Sequence, residues 1–103
     1  MQNIVKEFNQ KRNCHIEPMP AYARILDIQS EMGELSKEYL KCSDYGTSNF
    51  QINDEFILEY GDVLYSLLSL GEELNIDSKE ALQKVINKYQ ARIDKNKSMG
   101  SGN

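Results

Sequence analysis

Tryptophan is absent from this 103-residue chain, histidine occurs once, and cysteine and proline occur twice each. Each shortage removes a class of protein. One histidine, His15, and two cysteines, Cys14 and Cys42, with no CxxC between them, rule out zinc sites of the ordinary types. Both thiols are therefore expected to be reduced and chemically quiet. No apolar run approaches the ~20 residues that a bilayer demands. The opening stretch MQNIVKEFNQKRN lacks the apolar segment of a secretory signal, so a cytoplasmic protein is expected. Positive charge is not in excess. The net charge of −4 and a pI of about 5.0 argue against duplex nucleic acid as the main partner. Strand-like alternation is missing, and so is any internal repeat of the kind that builds solenoids.

What is present is helical. Apolar residues recur at three- and four-residue steps in four segments, which predicts an all-α, four-helix bundle-like domain with helices at about 2–13, 21–42, 53–74 and 78–96. The first carries Ile4, Val5 and Phe8 on one side, and Pro18 and Pro20 end the segment after it. Pro20 suits the first turn of the second helix. That helix has a core face of Ile25, Ile28, Met32, Leu35 and Tyr39. Turn-forming residues from Ser43 to Asn49 make a loop. The third helix is the most apolar. Phe56, Tyr60, Val63, Leu67 and Leu74 form one row, and Ile57, Leu64 and Leu68 form a second. So wide an apolar arc implies that a second subunit covers the row containing Leu68, giving a homodimer or homotetramer. Asp77 and Glu80 form a capping box ahead of a fourth helix whose core face is Leu82, Val85, Ile86, Tyr89 and Ile93. Residues 1–96 read as one domain and 97–103 as a disordered tail.

Two acidic pairs carry the chemistry. Glu31-Met32-Gly33-Glu34 lies in the second helix and Glu59-Tyr60-Gly61-Asp62 in the third. Spacing i, i+3 sets both carboxylates of a pair on one helix face. They extend into stripes, Asp27, Glu31, Glu34 and Glu38 on one helix and Glu55, Glu59, Asp62, Ser66 and Glu73 on the other. Antiparallel packing would bring the pairs together. Two carboxylates about 4 Å apart at an effective dielectric near 20 repel by about 4 kcal/mol. A hard divalent cation relieves this, and oxygen-only ligands suit Mg²⁺ or Mn²⁺. Gly33 and Gly61 occupy the same slot in each pair. Mid-helix glycine costs about 1 kcal/mol against alanine, for which close approach of the helix backbones is the expected reason. On the fourth helix, Lys84, Lys88, Arg92 and Lys95 share a face. Arg92 suits a phosphate through its planar fork and Lys88 as a point charge.

This pattern of ExxE, spacer and ExxD resembles the MazG-like all-α nucleotide pyrophosphohydrolases. The similarity runs from Ile28 to Arg92, about two thirds of the chain, and includes Gly61-Asp62-Val63-Leu64 and Asn87-Lys88-Tyr89-Gln90-Ala91-Arg92. The resemblance implies that Glu31, Glu34, Glu59 and Asp62 bind Mg²⁺ and that Lys88 and Arg92 contact substrate phosphates. It implies hydrolysis of a (deoxy)nucleoside triphosphate to the monophosphate and pyrophosphate, in a protein that self-associates. Glu34 and Glu59 are the candidate catalytic acids, with Glu34 the first candidate for the base that activates water. Narrower members act on dCTP, dUTP or phosphoribosyl-ATP. Some relatives set a tryptophan near the base. Here Phe8, His15, Tyr22 and Phe50 are the candidates for that place, each equally suited to packing. The rival readings are a non-catalytic helical interaction module and a di-metal bundle. The second fails because no Glu-x-x-His is present, and an EF-hand fails for want of its acidic loop.

Overall fold

The computed structural model describes residues 1–98, all of whose regular structure is α-helical: α1 (Gln2–Asn13), α2 (Ala21–Cys42), α3 (Asp54–Glu73) and α4 (Ser78–Ser98). Pro20 stands one residue before α2 rather than inside its first turn, and its carbonyl accepts from Arg24 N–H at 3.0 Å. Asn53 caps α3, its Oδ1 accepting from the Phe56 amide at 2.9 Å. The other end of α3 closes on Asn75, whose φ of 56° lies in the left-handed region. The Ile76 amide then donates back to the Gly71 carbonyl at 2.8 Å, a Schellman closure with asparagine in the usual glycine place. Asp77 caps α4 as expected, accepting from the Glu80 amide at 3.1 Å. α4 runs two residues further than the pattern predicts, through Lys97 and Ser98, because no breaker occurs there and its last-turn lysines complement the dipole. The remaining tail, 99–103, lies outside the described residues.

α2 and α3 form an antiparallel hairpin and are the principal packed pair. At its closed end Phe50 stacks on Tyr39 with centroids 4.6 Å apart, and Phe56 meets Phe50 edge-on. At its open end Ser66 of α3 bonds Asp27 of α2. α1 lies across α3, held by Phe8 against Tyr65 and by Asn9, which accepts from the Tyr65 hydroxyl at 2.6 Å and donates to Ser69 at 3.0 Å.

The expected closed bundle does not form within one chain. Among the described residues α4 shares no substantial packed interface with α1, α2 or α3. The radius of gyration is 18.1 Å, whereas a compact chain of this length has about 13 Å. Among the described residues Val5, Cys42 and Leu68 are the buried apolar ones. The core faces expected of α2 and α4 are largely open: Ile25, Met32, Tyr39, Leu82, Ile86, Tyr89 and Ile93 are all exposed. The two rows of α3 do not divide as expected: Ile57, in the row of Leu68, is exposed, and Phe56 and Val63, in the other, are half-buried. Leu68 is 7 % exposed and belongs to the chain's own core, whereas Tyr60, at 59 %, and Leu67 face solvent. The reason is α1, which covers the side of α3 carrying Tyr65, Leu68 and Ser69, while α2 packs along another side and Tyr60 and Leu67 are left open.

Candidate metal centre

Antiparallel register brings the middle of α2 beside the middle of α3. Carboxylate oxygens of Glu31, Glu59 and Asp62 then lie within 4.8 Å of one another. Glu31 and Glu59 are half-buried and Asp62 is exposed. Glu34 is outside this group of three, on the exposed surface of α2. It remains close enough for its charge to act on both Glu31 and Glu59.

The cluster is electrostatically uncomfortable. Burial raises the Glu31 carboxyl above its ordinary range, and the charges of Asp62, Asp27, Glu59 and Glu34 add to that. Glu59 is raised for the same first cause, then by Asp62, Glu34, Glu38 and Glu55. No lysine or arginine is ion-paired to Glu31, Glu59 or Asp62 at the salt-bridge distance among the described residues. Oxygen-only ligands in a group of three could hold a hard divalent cation such as Mg²⁺.

One helical turn away lies a polar layer that the acidic motifs do not announce. Arg24 is 4 % exposed, with Nη1 3.9 Å from Asp27 Oδ2 and its guanidinium 5.6 Å from the Tyr65 ring centroid. Its Nε has no hydrogen-bond partner. Ser66 donates to Asp27 at 2.8 Å. Asp27 precedes Glu31 by four residues and Ser66 follows Asp62 by four, so this layer sets the register that gathers the acids. The available signal was an arginine three residues before an aspartate on a helix that otherwise presents apolar residues there. Beyond Arg24, a cleft of about 480 Å³ opens between α1 and the Pro18–Pro20 turn, walled by Lys6, Asn9, Arg12, Met19 and Glu73. It is separate from the carboxylate cluster.

The remaining expectations divide. Lys88 and Arg92 sit on the face of Tyr89 of their own helix, 5.6 and 6.0 Å from its centroid, and α4 does not carry them onto the hairpin of the same chain. Gly33 and Gly61 meet open space, not a neighbouring backbone. Close helix approach therefore does not explain them within one chain. Of the candidate base contacts, Phe8 and Phe50 pack against other rings, while His15 and Tyr22 are exposed. Comparison with known protein families, with curated proteins and with solved structures finds no match.

Proposed function

We propose that this chain is a MazG-like, Mg²⁺-dependent pyrophosphohydrolase that converts a (deoxy)nucleoside triphosphate to its monophosphate and pyrophosphate. The observation that carries the reading is the gathering of Glu31, Glu59 and Asp62, from the two sequence pairs, within 4.8 Å. Glu31, Glu59 and Asp62 hold the ion, with Glu34 at the edge of the cluster. Bound Mg²⁺, or Mn²⁺ in its place, supplies charge neutralisation for the triphosphate. Glu34, exposed and unclaimed by the group of three, is the residue best disposed to accept the proton of an attacking water. Lys88 and Arg92 neutralise phosphate oxygens. The working protein is a homo-oligomer, cytoplasmic, with the nucleotide as its partner.

A second reading is a helical interaction module without chemistry, and the open apolar face of α4 favours it. Pyrophosphate release from a panel of nucleotides separates the two, with dCTP, dUTP and phosphoribosyl-ATP included for the narrower specificities. Release with millimolar Mg²⁺ and none with chelator is expected. Silence across the panel, in both Mg²⁺ and Mn²⁺, removes the hydrolase reading.

A further inference from the structure

At the open end of the hairpin three elements build a second polar site. α1 ends at Asn13, the turn at residues 18–20 reverses the chain, and α2 then starts beside the place where α3 ends. The cleft of about 480 Å³ lies there, and its volume is that of a small-molecule pocket. Glu72 and Glu73 on its wall are about 15 Å along α3 from Asp62, at 1.5 Å per residue, so the cleft stands clear of the carboxylate cluster.

Its walls carry opposite charge. Lys6 and Arg12 of α1 and Arg24 of α2 supply cations, and Glu72 and Glu73 of α3 supply anions. Helix dipoles strengthen the same polarity. α2 begins here with no acidic residue in its first turn, and α3 ends here with no basic residue in its last. Yet the walls do not pair across the gap. Among the described residues Lys6, Arg12, Glu72 and Glu73 take part in no ion pair, and Arg24 faces Asp27 and neither of the two glutamates. Arg24 is 4 % exposed, and its Nε–H has no acceptor. A buried donor without one is costly. A simple anion would satisfy the basic wall and add repulsion at Glu72 and Glu73, and a simple cation would do the reverse. A molecule that carries both charges satisfies each wall with a charge-assisted hydrogen bond. Met19, half-buried between Pro18 and Pro20, adds an apolar surface to the same cleft.

We propose that this cleft binds a small zwitterion of the α-amino acid class, its carboxylate toward Arg12 and Arg24, its ammonium toward Glu72 and Glu73, and an apolar side chain against Met19. The site needs no metal and does not rest on the hydrolase reading. The full chain, labelled with heavy nitrogen, is titrated with L-leucine and followed by amide NMR. Leucine should shift the amides of Asn9, Asn13, Met19 and Glu73 and leave those of Glu59 and Asp62 in place. Isocaproate and isoamylamine each lack one of leucine's charges and should bind about ten-fold more weakly or worse. Arg12→Gln and Glu73→Gln each remove an unpaired charge from one wall. Each should weaken leucine about ten-fold with Tm little changed. Arg24 is left intact, because it also holds Asp27. No leucine-dependent shift, or shifts confined to the carboxylate cluster, overturn the proposal. Isocaproate or inorganic phosphate binding as tightly as leucine makes the cleft a plain anion site and overturns it too, as does full leucine affinity in either variant. Glycine binding as tightly as leucine overturns the part given to Met19.

Discussion

Single residues in the carboxylate cluster carry charges that their surroundings disfavour. Glu59 has its carboxyl raised by burial and by neighbouring acids, so in the folded, metal-free protein its charged form is disfavoured. The sign follows from linkage. A carboxyl whose folded pKa is raised contributes stability below its unfolded pKa, and that contribution is lost as pH rises through the folded pKa. The metal-free protein should therefore melt higher as pH falls from neutral toward about 5, and Mg²⁺ should flatten the trend. Glu59→Gln removes the titrating group and one like charge. This variant should melt at or above the wild-type temperature at pH 7 without metal, show a shallower pH profile, and release at least 100-fold less pyrophosphate. Wild-type turnover by Glu59→Gln in the same assay would displace Glu59 from the centre.

At the level of helices, a polar layer beside the site joins α1, α2 and α3. α1 is tied to α3 through Asn9, which accepts from Tyr65 and donates to the fully buried Ser69. Tyr65 in turn lies beneath the Arg24 guanidinium, and Arg24 faces Asp27. Replacing Asn9 leaves a buried hydroxyl without its partner, at a cost of about 1–3 kcal/mol. Asn9→Ala should lower stability by about 2 kcal/mol in urea unfolding, with Mg²⁺ affinity falling because the α2–α3 register loosens. A variant as stable as wild type would show that α1 is held by other contacts. Capping places the helix ends in the same local fashion: Asn53 at α3, Asp77 at α4 and left-handed Asn75 between them.

The whole molecule is an open assembly of hairpin, strap and projecting helix, with a radius of gyration of 18.1 Å. Among its described residues no helix is long and apolar enough to cross a membrane. On the proposed function, stability is tied to association through the exposed apolar surface and to metal through the clustered acids. Titration with Mg²⁺ to about 100 times its Kd should raise Tm by about 10–20 °C, since a ligand that binds only the folded state then adds about 2.7 kcal/mol and each kcal/mol shifts a domain of this size by about 4–8 °C. The increment should vanish in Asp62→Asn. An unchanged melting curve, with and without nucleotide, would leave the carboxylates as a solvated acidic face.

Much of this protein is decided locally and is legible residue by residue. Helix periodicity, the caps at Asn53 and Asp77, and the i, i+3 spacing of Glu31 with Glu34 and Glu59 with Asp62 all depend on neighbours within one or two turns. The acids meet because an antiparallel hairpin was the simplest pairing of two amphipathic helices joined by a short loop. Other features depend on contacts between residues remote in sequence. Periodicity marks Leu68 and Leu67 alike as apolar and cannot say which one α1 covers. It marks Ile86 and Tyr89 as core without saying whose core. Glu34 and Asp62 share a motif position type, yet one helix rotation leaves Glu34 out of the cluster and takes Asp62 in. Tertiary structure decided these points because burial belongs to a pair of surfaces, and a single helix carries only one of them.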